Sequence, residues 1–222
     1  MRTVAVLLLL VGGSFLSAQD SGQAYIKEFS GKVELKAPGT ETWIPATTGA
    51  PLSRDTIVST GFKSTALVAL GNSVLLVRPL TRLTLTEIQN AQGNETVRVS
   101  LQTGRVRADV TPPPGGKTDF TVQSPMVTAS VRGTSFDFDG INLHVDQGRV
   151  HVTGGDNSAV YVGAGHRSSS DPRTGRTAGA AQTAKEDLAP PLPTAVAESM
   201  PVPPAIVPDG RVDFNLDLSF IP

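Results

Sequence analysis

The chain has no cysteine, so disulfide frameworks, thiolate metal sites, lipoprotein acylation and cysteine nucleophiles are excluded together. Aromatic residues make up only 5 %, and tryptophan occurs once, at Trp43. Charge is sparse as well, at 18 % of residues against roughly 25 % in an average domain. The 19 basic and 20 acidic residues nearly cancel to a net −1, so the basic excess of a nucleic-acid binder is missing and no nucleic-acid partner is expected. Long apolar runs are missing too. Val4 to Val11 is unbroken, but a bilayer-spanning helix needs about 20 apolar residues. What is plentiful is glycine and proline, 22 and 17 of 222 residues, above their usual combined share of about 12 %. That surplus favours short strands and turns over long helices.

Residues 1–18 read as a secretory signal peptide. Arg2 supplies the positive start and Val4–Val11 the apolar stretch. Gly12-Gly13-Ser14 lowers helix propensity, and Ser17-Ala18 offers small residues to a peptidase, with Leu16 an imperfect residue two positions earlier. The expected mature chain is periplasmic or secreted and has no transmembrane helix.

From Tyr25 to about Gly165 the apolar residues recur with period two, the mark of half-buried strands. Val33 and Leu35 alternate with charged neighbours, as do Leu83 and Leu85, Val97, Val99 and Leu101, and Val106, Ala108 and Val110. Around Leu67 and Ala69 both faces are apolar, which predicts a strand covered on both sides. A phrase recurs at Gly31-Lys-Val, Gly104-Arg-Val and Gly148-Arg-Val, at unequal spacings that exclude a strict solenoid period. Each glycine permits a tight turn before a new strand leaves with its apolar face inward. Residues 25–165 are therefore expected to form an all-β domain of coiled or sandwich-like architecture built from short strands, with the phrase as a recurring corner.

Residues 166–209 are rich in Ser, Ala, Thr and Pro and hold too few large apolar groups to offset ordering entropy, so a disordered linker is expected. Residues 210–222 differ again. Phe214, Leu216, Leu218 and Phe220 alternate with polar residues as a terminal amphipathic strand. That strand has three open fates: completing the protein's own sheet, pairing with a partner's edge by β-augmentation, or entering a membrane barrel.

Catalytic motifs are not found. Gly115-Gly116-Lys117-Thr118 matches the end of a phosphate-binding loop, but Thr111 stands where that loop needs its first glycine. If Gln147-Gly148 were a hairpin turn, His144 would face His151 with Asp146 beside them, a weak candidate metal set. If the same corner is a crossover, the histidines never meet. Asp137 and Asp139 share a strand face, but the closing glutamate of a calcium loop is missing. Arg98, Arg105 and Arg107 are expected to cluster on one outer face and attract an anionic polymer. Trp43 and Tyr161 are candidate stacking rings for a polysaccharide. No cofactor is expected.

The order of short motifs resembles the FecR-type domain of bacterial envelope proteins. It runs through Gly31-Lys-Val, Trp43-Ile-Pro, Asp55-Thr-Ile-Val-Ser-Thr-Gly, Gly71-Asn-Ser-Val, Leu101-Gln-Thr-Gly-Arg-Val, Val131-Arg-Gly-Thr-Ser-Phe and Val145-Asp-Gln-Gly-Arg-Val. The resemblance covers about residues 29–165. Well-known relatives are single-span sigma regulators that sense a TonB-dependent receptor from the periplasm. With a leader directly before the domain, this chain is expected in the stand-alone exported branch. The resemblance implies a non-enzymatic module that binds another envelope protein as a signalling or assembly accessory; the alternative is binding of cell-wall or surface polysaccharide. Val131-Arg-Gly-Thr is read as structural, with Arg132 as its one residue of surplus chemistry. Partner-binding candidates are Arg98, Arg105, Arg107, Arg132, Phe214, Leu216, Leu218 and Phe220.

Overall fold

The computed structural model describes residues 24–179 and Thr183. The expected leader and the terminal strand with Phe214, Leu216, Leu218 and Phe220 lie outside the described residues.

Two sheets share one hydrophobic core, and the chain passes repeatedly between them. Strand β1 (Ala24–Ser30) belongs to the first sheet, and β2 (Val33–Lys36), β3 (Trp43–Pro45) and β4 (Ile57–Thr60) to the second. The chain returns to the first with β5 (Thr65–Leu70) and β6 (Ser73–Val77), then to the second with β7 (Arg82–Ala91) and β8 (Asn94–Thr103). A single strand, β9 (Val106–Asp109), visits the first sheet before β10 (Thr118–Gln123) and β11 (Val127–Val131) rejoin the second. Next come β12 (Ser135–Phe138) and β13 (Asn142–Gln147) in the first, β14 (Arg149–Gly154) and β15 (Ala159–Gly163) in the second, and β16 (Arg167–Ser169) in the first. Spatially the first sheet runs β1-β5-β6-β9-β12-β13-β16, and the second β15-β14-β11-β10-β8-β7-β4-β2-β3. Among the described strands, neighbours pair antiparallel except β8 and β10, which run parallel. A parallel pair needs a crossover, and β9 in the opposite sheet supplies it.

The period-two pattern sets which side chains face inward. Val33, Leu35, Leu83, Leu85, Val97, Val99, Leu101, Val106, Ala108 and Val110 are all buried, as their alternation predicts. Three phenylalanines, Phe120, Phe136 and Phe138, are the largest side chains of the core, each at most 1 % exposed. Burying one such side chain contributes about 1.5–3 kcal/mol. Strand β5 is covered on both faces: Ala66 and Val68 point into the core, while Ala69 is also buried and Leu67 half-buried on the other side.

The recurring phrase marks three places where the chain changes sheets. Gly31 lies between β1 and β2, Gly104 between β8 and β9, and Gly148 between β13 and β14, all with left-handed φ (+74°, +93° and +82°). Each glycine packs against a Ser or Thr of another sheet-changing corner, so tightly that a Cβ would overlap Ser64 Oγ, Thr81 Oγ1, or the Gly133 carbonyl. The same hydroxyls tie the corners together. Lys32 N–H donates to Ser64 Oγ (2.8 Å), Arg105 N–H to Thr81 Oγ1 (3.0 Å), and Thr134 Oγ1 donates to the Arg149 carbonyl (3.1 Å). Gly133 and Thr134 of the Val-Arg-Gly-Thr motif are thus parts of a corner.

Two expectations change. The Gln147-Gly148 corner is a crossover, because the tight contact of Gly148 with Gly133 and Thr134 sends the chain into the other sheet. The ordered region also extends beyond residue 165. Arg167–Ser169 pair with Asn142–His144, and Ser170 bridges Thr177, so the first part of the expected linker is held by backbone pairing.

One carboxyl lies inside. Glu95 on β8 is 1 % exposed beneath the β5–β6 turn, where Asn72 N–H donates to its Oε1 (3.2 Å) and Thr118 Oγ1 stands 3.5 Å from Oε2. Burial raises its pKa, and those two contacts offset only part of the effect.

Candidate interaction surface

The outer face of the first sheet carries a band of alternating charge. Outward positions of β9, β12, β13 and β16 align in register, with Arg107 opposite Asp137, Asp137 opposite His144, and His144 opposite Arg167. Asp137 receives two guanidiniums, from Arg78 (2.8 Å) and Arg107 (2.9 Å). Arg107 also lies 2.6 Å from Asp146 and 3.9 Å from Asp109. Burial alone would lower the Arg107 pKa, but Asp146, Asp109 and Asp137 outweigh it and hold the guanidinium firmly charged. Arg105 reaches Asp139 (3.3 Å). Burial pushes the Asp139 carboxyl up, yet the N–H groups of Asn142 and Ile141, the Asn142 amide and Arg105 together hold it below the ordinary carboxylate range. His144 Nε2 stands 3.2 Å from Asp146, while its covered Nδ1 has no hydrogen-bond partner among the described residues.

This band borders a cleft of about 580 Å³ lined by Arg78, Arg105, Asp137, Asp139, His144 and Arg167, among others. Arg78, Arg105 and Asp139 also line the adjoining depression, together with Pro79 and Leu80. Leu80 is 60 % exposed and hydrogen-bonds through its N–H to the Gly61 carbonyl, which brings its corner beside the one bearing Phe62, 73 % exposed. Leu80 and Lys63 both have left-handed φ, +56° and +54°. A branched apolar residue in that conformation is strained, and such strain gathers at binding sites.

The expected arginine cluster is divided. Arg105 and Arg107 belong to the first-sheet band, but Arg98 lies on the second sheet and pairs with Glu87 (2.7 Å), because β8 and β9 are in different sheets. The candidate metal set is divided in the same way. His144 and Asp146 remain neighbours on β13, whereas His151 on β14 packs its ring against Tyr161, with centroids 4.7 Å apart. Among the described residues, no three His, Cys, Asp or Glu side chains gather in metal-binding geometry. Trp43 lies under the Arg82 guanidinium at 5.4 Å, far along the second sheet from the edge strand that holds Tyr161. Arg132 stands exposed at the β11–β12 corner. Sequence reasoning overlooked Arg78, Arg167, Phe62 and Leu80. A signal for Arg78 existed: Val77-Arg-Pro-Leu-Thr is a corner phrase comparable to Val131-Arg-Gly-Thr.

The family model described as FecR protein matches residues 56–162, from the start of β4 to all but the last residue of β15. Two crystal structures of a candidate anti-sigma factor from Parabacteroides distasonis ATCC 8503, at 1.65 and 2.50 Å resolution, are similar to this chain at 16 % identity and a TM-score of 0.46. The alignment covers 55 % of this chain and 57 % of that protein, just over half its length. No curated protein matches. Among the described residues no helix is long and apolar enough to cross a membrane.

Proposed function

From the premise that residues 56–162 are a FecR domain, we propose that the chain is an exported, non-enzymatic interaction module of the bacterial envelope that works through contact with another protein. The observation that carries this reading is the pair of exposed apolar corners, Phe62 and Leu80, set beside the arginine–aspartate band. Protein interfaces favour this composition, with aromatic and arginine anchors surrounded by a polar rim. The carboxylates also support a binding role. Asp137 is engaged by two guanidiniums, and Asp139 is held below the ordinary carboxylate range by its hydrogen bonds. The terminal segment around Phe214 to Phe220 is a second candidate docking element, by strand addition to a partner.

The test is affinity capture from a detergent-solubilised envelope with three baits: the chain from residue 19, the same chain with Phe62→Asp and Leu80→Asp, and a chain ending after residue 188. A protein recovered by the first and third baits but lost from the second places the contact at the corners. Loss only from the third moves it to the terminal segment. Recovery of no protein by any bait removes the reading.

A further inference from the structure

The outer face of the second sheet holds a different site. On its edge strand β15, Tyr161 is 69 % exposed and stands opposite His151, which in turn stands opposite Ser130. Arg149 lies two residues before His151 on the same face of β14, and Arg132 stands just past the end of β11 at its corner. With Asp119 these side chains border a cleft of about 380 Å³. Like charges on neighbouring strands repel, yet among the described residues neither guanidinium is within ion-pairing distance of a carboxylate, in contrast to Arg78, Arg98, Arg105 and Arg107. Gly163, opposite Arg149, leaves open space where a Cβ would meet nothing within 4 Å.

We propose that this cleft binds a pyranose bearing a carboxylate, a sugar acid of the hexuronic type. Two unpaired guanidiniums are suited to a carboxylate, which each can take in a two-pronged grip. The Tyr161 ring, covered only in part by the tilted His151 (43° between planes), offers a platform for the apolar face of a sugar ring. Asp119 and the Ser130 hydroxyl are acceptors for ring hydroxyls. That acceptor set suits a ligand rich in hydroxyl donors and repels one dense in carboxylates, which is why a sugar acid fits better than an acidic peptide. The site is on the second sheet, whereas the charged band of the proposed protein contact is on the first, and it does not depend on that reading.

Isothermal titration of the purified full chain with trigalacturonate tests it, with neutral trigalactose and a hexaglutamate peptide as parallel probes. Trigalacturonate should bind and trigalactose should not. Arg149→Ala and Tyr161→Ala should each weaken binding at least about tenfold, the equivalent of ~1.4 kcal/mol. Arg149→Lys should weaken it too, because a point charge replaces a fork, and Phe62→Asp with Leu80→Asp should leave it unchanged. All of these residues lie on the surface, and unchanged thermal melting will establish that the variants are folded. No heat with trigalacturonate at millimolar concentration, tighter binding of hexaglutamate, or full binding by Tyr161→Ala would each overturn the proposal.

Discussion

Leu80 joins an unfavourable backbone conformation to an exposed apolar side chain. Replacing it with glycine removes the left-handed strain and should raise stability by about 0.5–1 kcal/mol. The same change should weaken capture of a protein partner. Chemical denaturation and capture would therefore move in opposite directions, whereas a residue that serves only the fold would gain stability with no loss of binding. Glu95 makes a second prediction. Its folded-state pKa is raised by burial, so the folded chain holds this proton at a pH where the unfolded chain has released it. Stability from this group is therefore lost as pH rises from the ordinary carboxylate range through the folded-state pKa. Glu95→Gln removes that dependence and should be more stable than the parent at neutral pH, with the difference vanishing in acid. Urea denaturation of both chains across pH checks it; equal curves at every pH would refute it.

The corners decide the architecture at the level of strands. Inward residues were legible from alternation alone, because burial of Val97, Val99 and Leu101 on one face and exposure of Arg98 on the other follow from strand geometry. What alternation does not encode is which sheet a strand joins. A hairpin and a crossover both show glycine between two alternating runs, so Gly148 permits either. The difference is made by residues distant in sequence, Gly133 and Thr134, whose contact with Gly148 directs the chain across. That contact separates His144 from His151, and the corresponding one between Gly104 and Thr81 separates Arg98 from Arg105. Gly104→Ala and Gly148→Ala should each destabilise by about 2–4 kcal/mol, since a left-handed φ and a backbone clash act together. Gly163→Ala, on a strand with free space around it, should change little. Melting temperatures about 5–15 °C lower for the two corner variants are expected, and equal values for all three would contradict the role given to the corners.

On the scale of the whole molecule the two outer faces differ in kind. The first sheet presents a band of ion-paired charge beside apolar corners; the second carries ion pairs such as Arg98–Glu87 but also, at one edge, two arginines with no carboxylate partner among the described residues, beside a ring. Salt should discriminate between them. Paired and partly exposed charges contribute little net energy, so protein capture at the corners should survive high ionic strength. A ligand held by free guanidiniums should be screened off. Comparable salt loss for both would argue that one surface serves both ligands.

The alternation of strands between sheets resembles lacing. The chain crosses the core eight times between Ala24 and Ser169, so neither sheet is a continuous stretch of polypeptide that could be shed alone. A cut at any one corner still leaves both sides stitched by the others. A protease that threads its substrate from an end should therefore have to open both sheets together rather than shed one of them. Hydrogen exchange should accordingly find the central strands of both sheets in one protection class. The lacing thus couples the two sheets without any covalent cross-link, since the chain has no cysteine.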